Sequence, residues 1–111
     1  IMPIIMDKPR LLSDGRLTAH LLSDQVGETG GIELVAIAIV VGCHPLAVQH
    51  AGTYKEHFDL MGQRRISAAQ AHPMIQQVNW REVALVLREK RLYFGLSGAA
   101  PSSYAGANAE E

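Results

Sequence analysis

The chain of 111 residues holds a single cysteine, Cys43, so no internal disulfide can staple it. A lone thiol beside an apolar run reads as a small buried hydrophobe rather than a nucleophile, and it fits a reducing compartment. An excess of charge of one sign is also missing, since ten Lys and Arg face eleven Asp and Glu for a net −1. That balance argues against a general nucleic-acid or membrane-surface binder. It leaves only local basic footprints, of which Arg64 and Arg65 with Arg81, Arg88, Lys90 and Arg91 is the fullest. The longest apolar run, Leu34 to Val41, falls well short of the roughly 18 residues of a spanning helix, so no membrane partner is expected. The opening Ile1 to Met6 is too short for the apolar core of a secretory signal and lacks a basic n-region. A cytoplasmic protein is therefore expected.

Further absences narrow the chemistry. Gly27, Gly30 and Gly31 lack the spacing of a phosphate-binding loop, and no Gly-Lys-Ser/Thr follows them. No Gly-x-Ser-x-Gly nucleophile elbow occurs, and one cysteine cannot build a thiolate zinc knuckle. Internal repeats are absent as well.

What is present fits one domain, long enough to bury a core without staples. Pro3 to Met6 reads as a short buried strand stopped by Asp7-Lys8-Pro9. Arg16 to about Asp24 reads as a helix, with Ser13 or Asp14 as its N-cap. Residues 32–41 are apolar on every side. Their length, Ala36, Ala38 and the closing Gly42 favour a helix over a strand, one covered all round, with a second subunit as a candidate cover. A polar loop follows from His44 to Glu56, with one helical turn near Leu46, and then a strand at His57-Phe58-Asp59-Leu60. Gly62 to Ala71 is a helix ended by His72-Pro73, and Ile75 to Val78 is a strand. Asn79 caps a last helix, with Glu82 placed to reach back to it. There Trp80, Val83, Leu87 and Phe94 form the core stripe, and Arg81, Arg88, Glu89, Lys90 and Arg91 the outer face. The expected fold is α/β: a small single domain over 1–95 with a short three-stranded sheet and about four helices. A disordered C-terminal tail is expected over 96–111.

On a helix, Arg16, His20 and Asp24 fall at i, i+4 and i+8 and line one face. Asp7 just past a first strand stands where α/β proteins often hold a metal or phosphate ligand, or it only caps the turn before Pro9. His57 and Asp59 project to one side of a strand. Asp7, His20, Asp24, His57 and Asp59 are together the right types for a divalent-metal site, and imidazole nitrogen combined with carboxylate oxygen suits Zn, Mn or Fe rather than Ca. Such a site would activate a water for attack on a phosphoester, with His20 and His57 in the reaction and Arg16 steadying the developing charge. Plainer readings stand beside these. His20 and Asp24 could share a helix hydrogen bond, His57 and Asp59 could hold loop backbone, and Arg16 could pair with Asp14.

The order and spacing of several short motifs carry a resemblance. Asp7 after the first strand, Gly15-Arg16 with His20 and Ser23-Asp24, Glu33-Leu34 with Gly42, His57-Phe58-Asp59 and Arg81-Glu82 together resemble the domain of unknown function 4031 family. These are short bacterial and phage proteins in which a strand ends in Asp, followed by an Arg…His…Asp segment and a His-aromatic-Asp step. The similarity covers roughly residues 3–93 and implies a phage-related or bacterial relative without supplying an activity. Two functions follow as expectations: a small metal-dependent hydrolase acting on a phosphoester, or a non-catalytic module that homo-oligomerises through residues 32–41.

Overall fold

Ile4, Ile5 and Met6 are all buried, and a strand buried on both faces belongs inside a sheet. They form β1 (Ile4–Met6) in the computed structural model of the chain, which describes residues 3–97. β1 pairs antiparallel with β3 (Leu17–Ser23), Ile4 opposite Ser23 and Met6 opposite Leu21. The chain then passes Lys8-Pro9 and rejoins the same strand as β2 (Arg10–Leu11), Arg10 opposite Thr18. Residue numbers of paired positions sum to 27 along β1 and to 28 along β2, so the proline step inserts one extra residue into this edge. On the other edge of β3 lies β4 (Phe58–Met61), antiparallel, with His20 opposite Asp59. β5 (Ile75–Gln77) runs parallel to β1 and completes a mixed five-stranded sheet.

Side-chain alternation sorts the helices onto two faces. Met6, Ala19, Leu21, Phe58 and Leu60 point to one side. They share a core with Leu34 and Ala38 of α1 (Glu28–Val40) and Ile66 and Ala69 of α2 (Gln63–Ala71). Ile5 and Leu22 point to the other side and pack with Val78 and Val83, the latter on α3 (Trp80–Ser97). The described residues thus form an α/β domain of three α-helices on a five-stranded sheet, against the three strands and about four helices expected. α3 runs to Ser97, two residues into the tail expected from 96, and the rest of that tail, 98–111, lies outside the described residues.

The main correction concerns residues 16–24, expected as a helix and found as β3. Leu17, Ala19 and Leu21 face the larger core while Thr18 and Leu22 face α3, so both sides are covered and the sheet overrides any local preference. The extra helix expected here is thereby lost, and the two missing strands are β2 and β3.

The apolar segment is helical, and α1 starts before Ile32, at Glu28. Its first turn contains Gly30, where a Cβ would stand 2.6 Å from the Gln25 carbonyl oxygen and 3.0 Å from Ser23 Oγ. Only glycine lets the helix start so close to the end of β3. At its other end Gly42 has φ +105°, Gly42 N–H bonds Ile39 O at 3.0 Å and Cys43 N–H bonds Ala38 O at 2.9 Å, a complete Schellman stop. The helix is not covered all round in the single chain, because Ile32, Ile39 and Val40 are exposed. Two residues of α3 also depart from expectation. Trp80, expected in the core, is 75% exposed at the first residue of the helix. Lys90, expected outside, is buried on the Val83 stripe, where its ammonium donates to Ser23 O at 2.9 Å.

Candidate functional site

β3 and β4 set the site. Because His20 and Asp59 are register partners, their side chains leave the same face of the sheet, the one toward α3, and His57 joins them two residues along. Asp7 completes the row from the opposite edge of β3. Its N–H bonds His20 O at 3.2 Å, and its carboxylate takes over the return bond, accepting His20 N–H on Oδ1 at 2.7 Å. Lys8-Pro9 is where the ladder breaks, so the side chain substitutes for a lost backbone acceptor.

The other carboxylate oxygen, Oδ2, lies 2.6 Å from His20 Nδ1. A carboxylate accepts only, so Nδ1 carries the proton and Nε2 is turned to the far side, 3.8 Å from Asp59 Oδ1. His57 is fixed the same way, its Nδ1–H donating to Lys55 O at 2.7 Å and its Nε2 lying 3.3 Å from Asp59 Oδ1. One ligand atom from each of His20, His57 and Asp59 lies within 4.8 Å of the others. An ion bonded at about 2.0–2.2 Å holds its ligands roughly 3–3.5 Å apart. The His57–Asp59 spacing already fits, and the wider ones are within reach of side-chain rotation. These three residues could hold a divalent ion, with Asp7 standing behind His20.

Protonation follows the contacts. The hydrogen bond to Asp7 raises the His20 pKa above 6.5, against the opposing effect of burial. For Asp7 burial acts upward, but the two hydrogen bonds and the charge of His20 outweigh it and the net displacement is below 3.8. Desolvation lowers the His57 pKa below 6.5, which favours the neutral imidazole a metal requires.

Of the residues expected at a site, Asp7, His20, His57 and Asp59 gather, while Arg16 and Asp24 do not. Four residues along a helix span about 6 Å, but along a strand they span about 13 Å, so the column is stretched apart. Arg16 instead pairs with Asp14 at 2.9 Å. Asp24 accepts from Gln25 Nε2 at 2.9 Å, and its charge acts on Lys90. Asp7 is better placed behind His20 than on the ion, both its oxygens being taken by His20. Of the basic footprint, Lys90 is buried, and Arg65 bonds Gly42 O and Met61 O. Among the described residues no helix is long and apolar enough to cross a membrane.

Beside the cluster opens a cleft of about 330 Å³, lined by His20, His50 and His57, by Tyr54 and Lys55, and by Leu22, Val83 and Leu87. Its loop wall is closed at the neck, where Gln49 and His57 exchange backbone hydrogen bonds of 2.8 and 3.1 Å. Within the loop Glu56 accepts Gly52 N–H at 2.9 Å, and Thr53 Oγ1 donates to His50 O at 2.7 Å. His50 holds φ +52°, and its ring lies 5.9 Å from that of His57. His50, Tyr54 and Lys55 have no motif of their own; a long polar loop ahead of a His-x-Asp strand is the one signal that marked this region.

No family model matches the chain, and no similar curated protein or solved structure was found. The resemblance to the domain of unknown function 4031 family thus gains no support from a family model, and the function must be read from the site.

Proposed function

We propose that this chain is a small metal-dependent hydrolase acting on a phosphoester. The observation that carries the reading is the grouping of His20, His57 and Asp59, each histidine presenting Nε2 while its Nδ1 is tied back, to Asp7 and to Lys55 O. Two imidazoles and one carboxylate suit Zn, Mn or Fe, and three protein ligands leave positions free for water and substrate. The bound ion would lower the pKa of that water and polarise a phosphoryl oxygen. Asp7 would keep the His20 imidazole in the ligating tautomer, and Asp59 would lower the net charge of the centre. Arg16 takes no part in this version.

The test is direct. Protein purified without chelator is analysed for metal, stripped, and titrated calorimetrically with Zn²⁺ and Mn²⁺, then assayed on p-nitrophenyl phosphate and its bis ester. One ion per chain is expected, with metal-dependent release of nitrophenol. His57→Ala and Asp59→Ala should lose both while keeping the circular dichroism of the parent. Wild-type protein that takes up no ion in the calorimeter would sink the reading.

A second reading is favoured by one observation, the exposed apolar face of α1: the chain is an assembly module that pairs with a second copy of itself through that face. The two readings do not exclude each other, because the cleft and this face lie on opposite sides of the sheet.

A further inference from the structure

The two walls of the cleft differ in chemistry, and that difference bears on the substrate. The inner wall is Leu22, two residues along β3 from His20, together with Val83 and Leu87 of α3. These belong to the smaller core, so the apolar surface continues from the interior up to the metal-ligand cluster. A ligand hydroxyl laid on it would be stripped of water with no partner in return. The outer wall carries the charge. Lys55 lines it, and its Nζ stands 5.7 Å from the centre of the Tyr54 ring. The guanidinium of Arg91 stands 5.7 Å from the same ring. Lys55 is the cation that lines the cleft itself, and Arg91 adds a second positive charge at the same ring, so this wall favours an anion. At about 330 Å³ the space lies at the small end of ligand sites, which run from roughly 300 to 1,000 Å³.

We propose that the cleft selects compact phosphoesters whose alcohol part is apolar, an aryl or short alkyl group, with the anion held toward Lys55 and the hydrocarbon against Leu22, Val83 and Leu87. This deepens the hydrolase reading by naming the substrate class of the same site. It also places at Lys55 the cationic role that Arg16 cannot fill. Sugar and glycerol phosphates are disfavoured because the inner wall offers their hydroxyls nothing.

Binding of phosphonates, whose carbon–phosphorus bond resists hydrolysis, separates selection from catalysis. Phenylphosphonate and methylphosphonate are titrated into the full chain, both metal-free and zinc-loaded, and followed through methyl and amide NMR shifts. Phenylphosphonate should bind roughly ten- to hundredfold tighter, with shifts at the methyls of Leu22, Val83 and Leu87. Lys55→Gln should weaken both ligands alike, by roughly tenfold. Leu87→Gln should remove the phenyl advantage and spare methylphosphonate. If that variant does not fold, the phenyl preference and the place of the shifts in the wild type decide the matter. Equal affinity for the two ligands, shifts elsewhere, or no effect of Lys55→Gln would overturn the proposal. Metal uptake and ester hydrolysis without a phenyl preference would refute the selection alone; a phenyl preference in a protein that binds no metal would refute the hydrolase alone.

Discussion

Asp7 is the residue on which the chemistry of the site turns, although it is not itself positioned to ligate. Its Oδ2 fixes the proton of His20 on Nδ1, and its Oδ1 holds the His20 N–H. In Asp7→Asn the shape is kept, but the amide NH₂ facing Nδ1 is a donor, which moves the ring proton to Nε2 and removes the lone pair a metal would use. Metal affinity should fall about 10- to 100-fold in a calorimetric titration, with the fold intact. The same pair gives the metal-free protein a pH signature. His20, with its folded pKa raised, contributes stability that is complete below 6.5 and is lost as pH rises through the raised value. Asp7, with its folded pKa lowered, contributes stability that is complete above 3.8 and is lost as pH falls through the lowered value. The pair's own contribution, read as the difference in urea midpoint between the stripped parent and Asp7→Asn, should therefore be largest between about 4 and 6.5. A difference that stays the same at every pH would mean the pair is not formed. Cys43 supplies a simpler check. Burial pushes its thiol pKa up, so it should react slowly with a disulfide reagent at neutral pH until denaturant is added.

At the scale of elements, helix ends carry more of the fold than their polar residues suggest. An alanine at Gly42 would have to hold φ +105°, and its Cβ would meet Arg65 Cγ at 3.4 Å, on the side chain that bonds Gly42 O at 2.8 Å. Gly42→Ala should cost about 1–2 kcal/mol. Asn79 and Glu82 exchange side-chain bonds with each other's backbone N–H at 2.8 and 3.2 Å, and Asn79→Ala should cost about 1 kcal/mol. Denaturant unfolding measures both, and losses near zero would show that the ends fray. Gly42 and Asn79 were legible because capping is local chemistry. Phe58 to Met61 was legible because His57-x-Asp59 alternates at the period of a strand. The alternation Leu17-Thr18-Ala19-His20-Leu21 carries the same signal, but Arg16, His20 and Asp24 fit a helical column equally well. An even spacing of four keeps one face in either conformation and alters only the distance. The pairing of β3 with β4, which sets His20 against Asp59, joins positions 39 apart and has no local signature. Trp80 was misplaced because a helical stripe gives the phase of a helix without saying where along it the sheet begins to cover it.

At the scale of the whole molecule, the outer side of α1 is an apolar face that no other described residue covers. Ile32, Ala36, Ile39 and Val40 recur at i, i+4, i+7 and i+8 along the outside of α1, a second apolar stripe behind the one that Leu34 and Ala38 bury. Ile32 is 60% and Val40 65% exposed, and Leu46 beside them is 85% exposed on a groove lined also by Val35, Pro45 and Val48. A helix face of this kind is self-complementary about a two-fold axis, since α1 of one copy can lie against α1 of another. The expected assembly is a dimer with both clefts open, because they lie across the sheet from α1. Ile39→Glu with Val40→Glu would put four carboxylates into such an interface without touching the core residues Leu34, Ala38 and Val41. Sedimentation velocity should then show the wild type as a dimer and the double variant as a monomer of unchanged thermal unfolding cooperativity. Zinc affinity should be the same in both, since no ligand comes from α1. A wild type that sediments as a monomer at every concentration removes the assembly reading and leaves the cleft. A double variant that loses zinc as well would mean that the two faces are coupled through the sheet, with β3 the element that touches both.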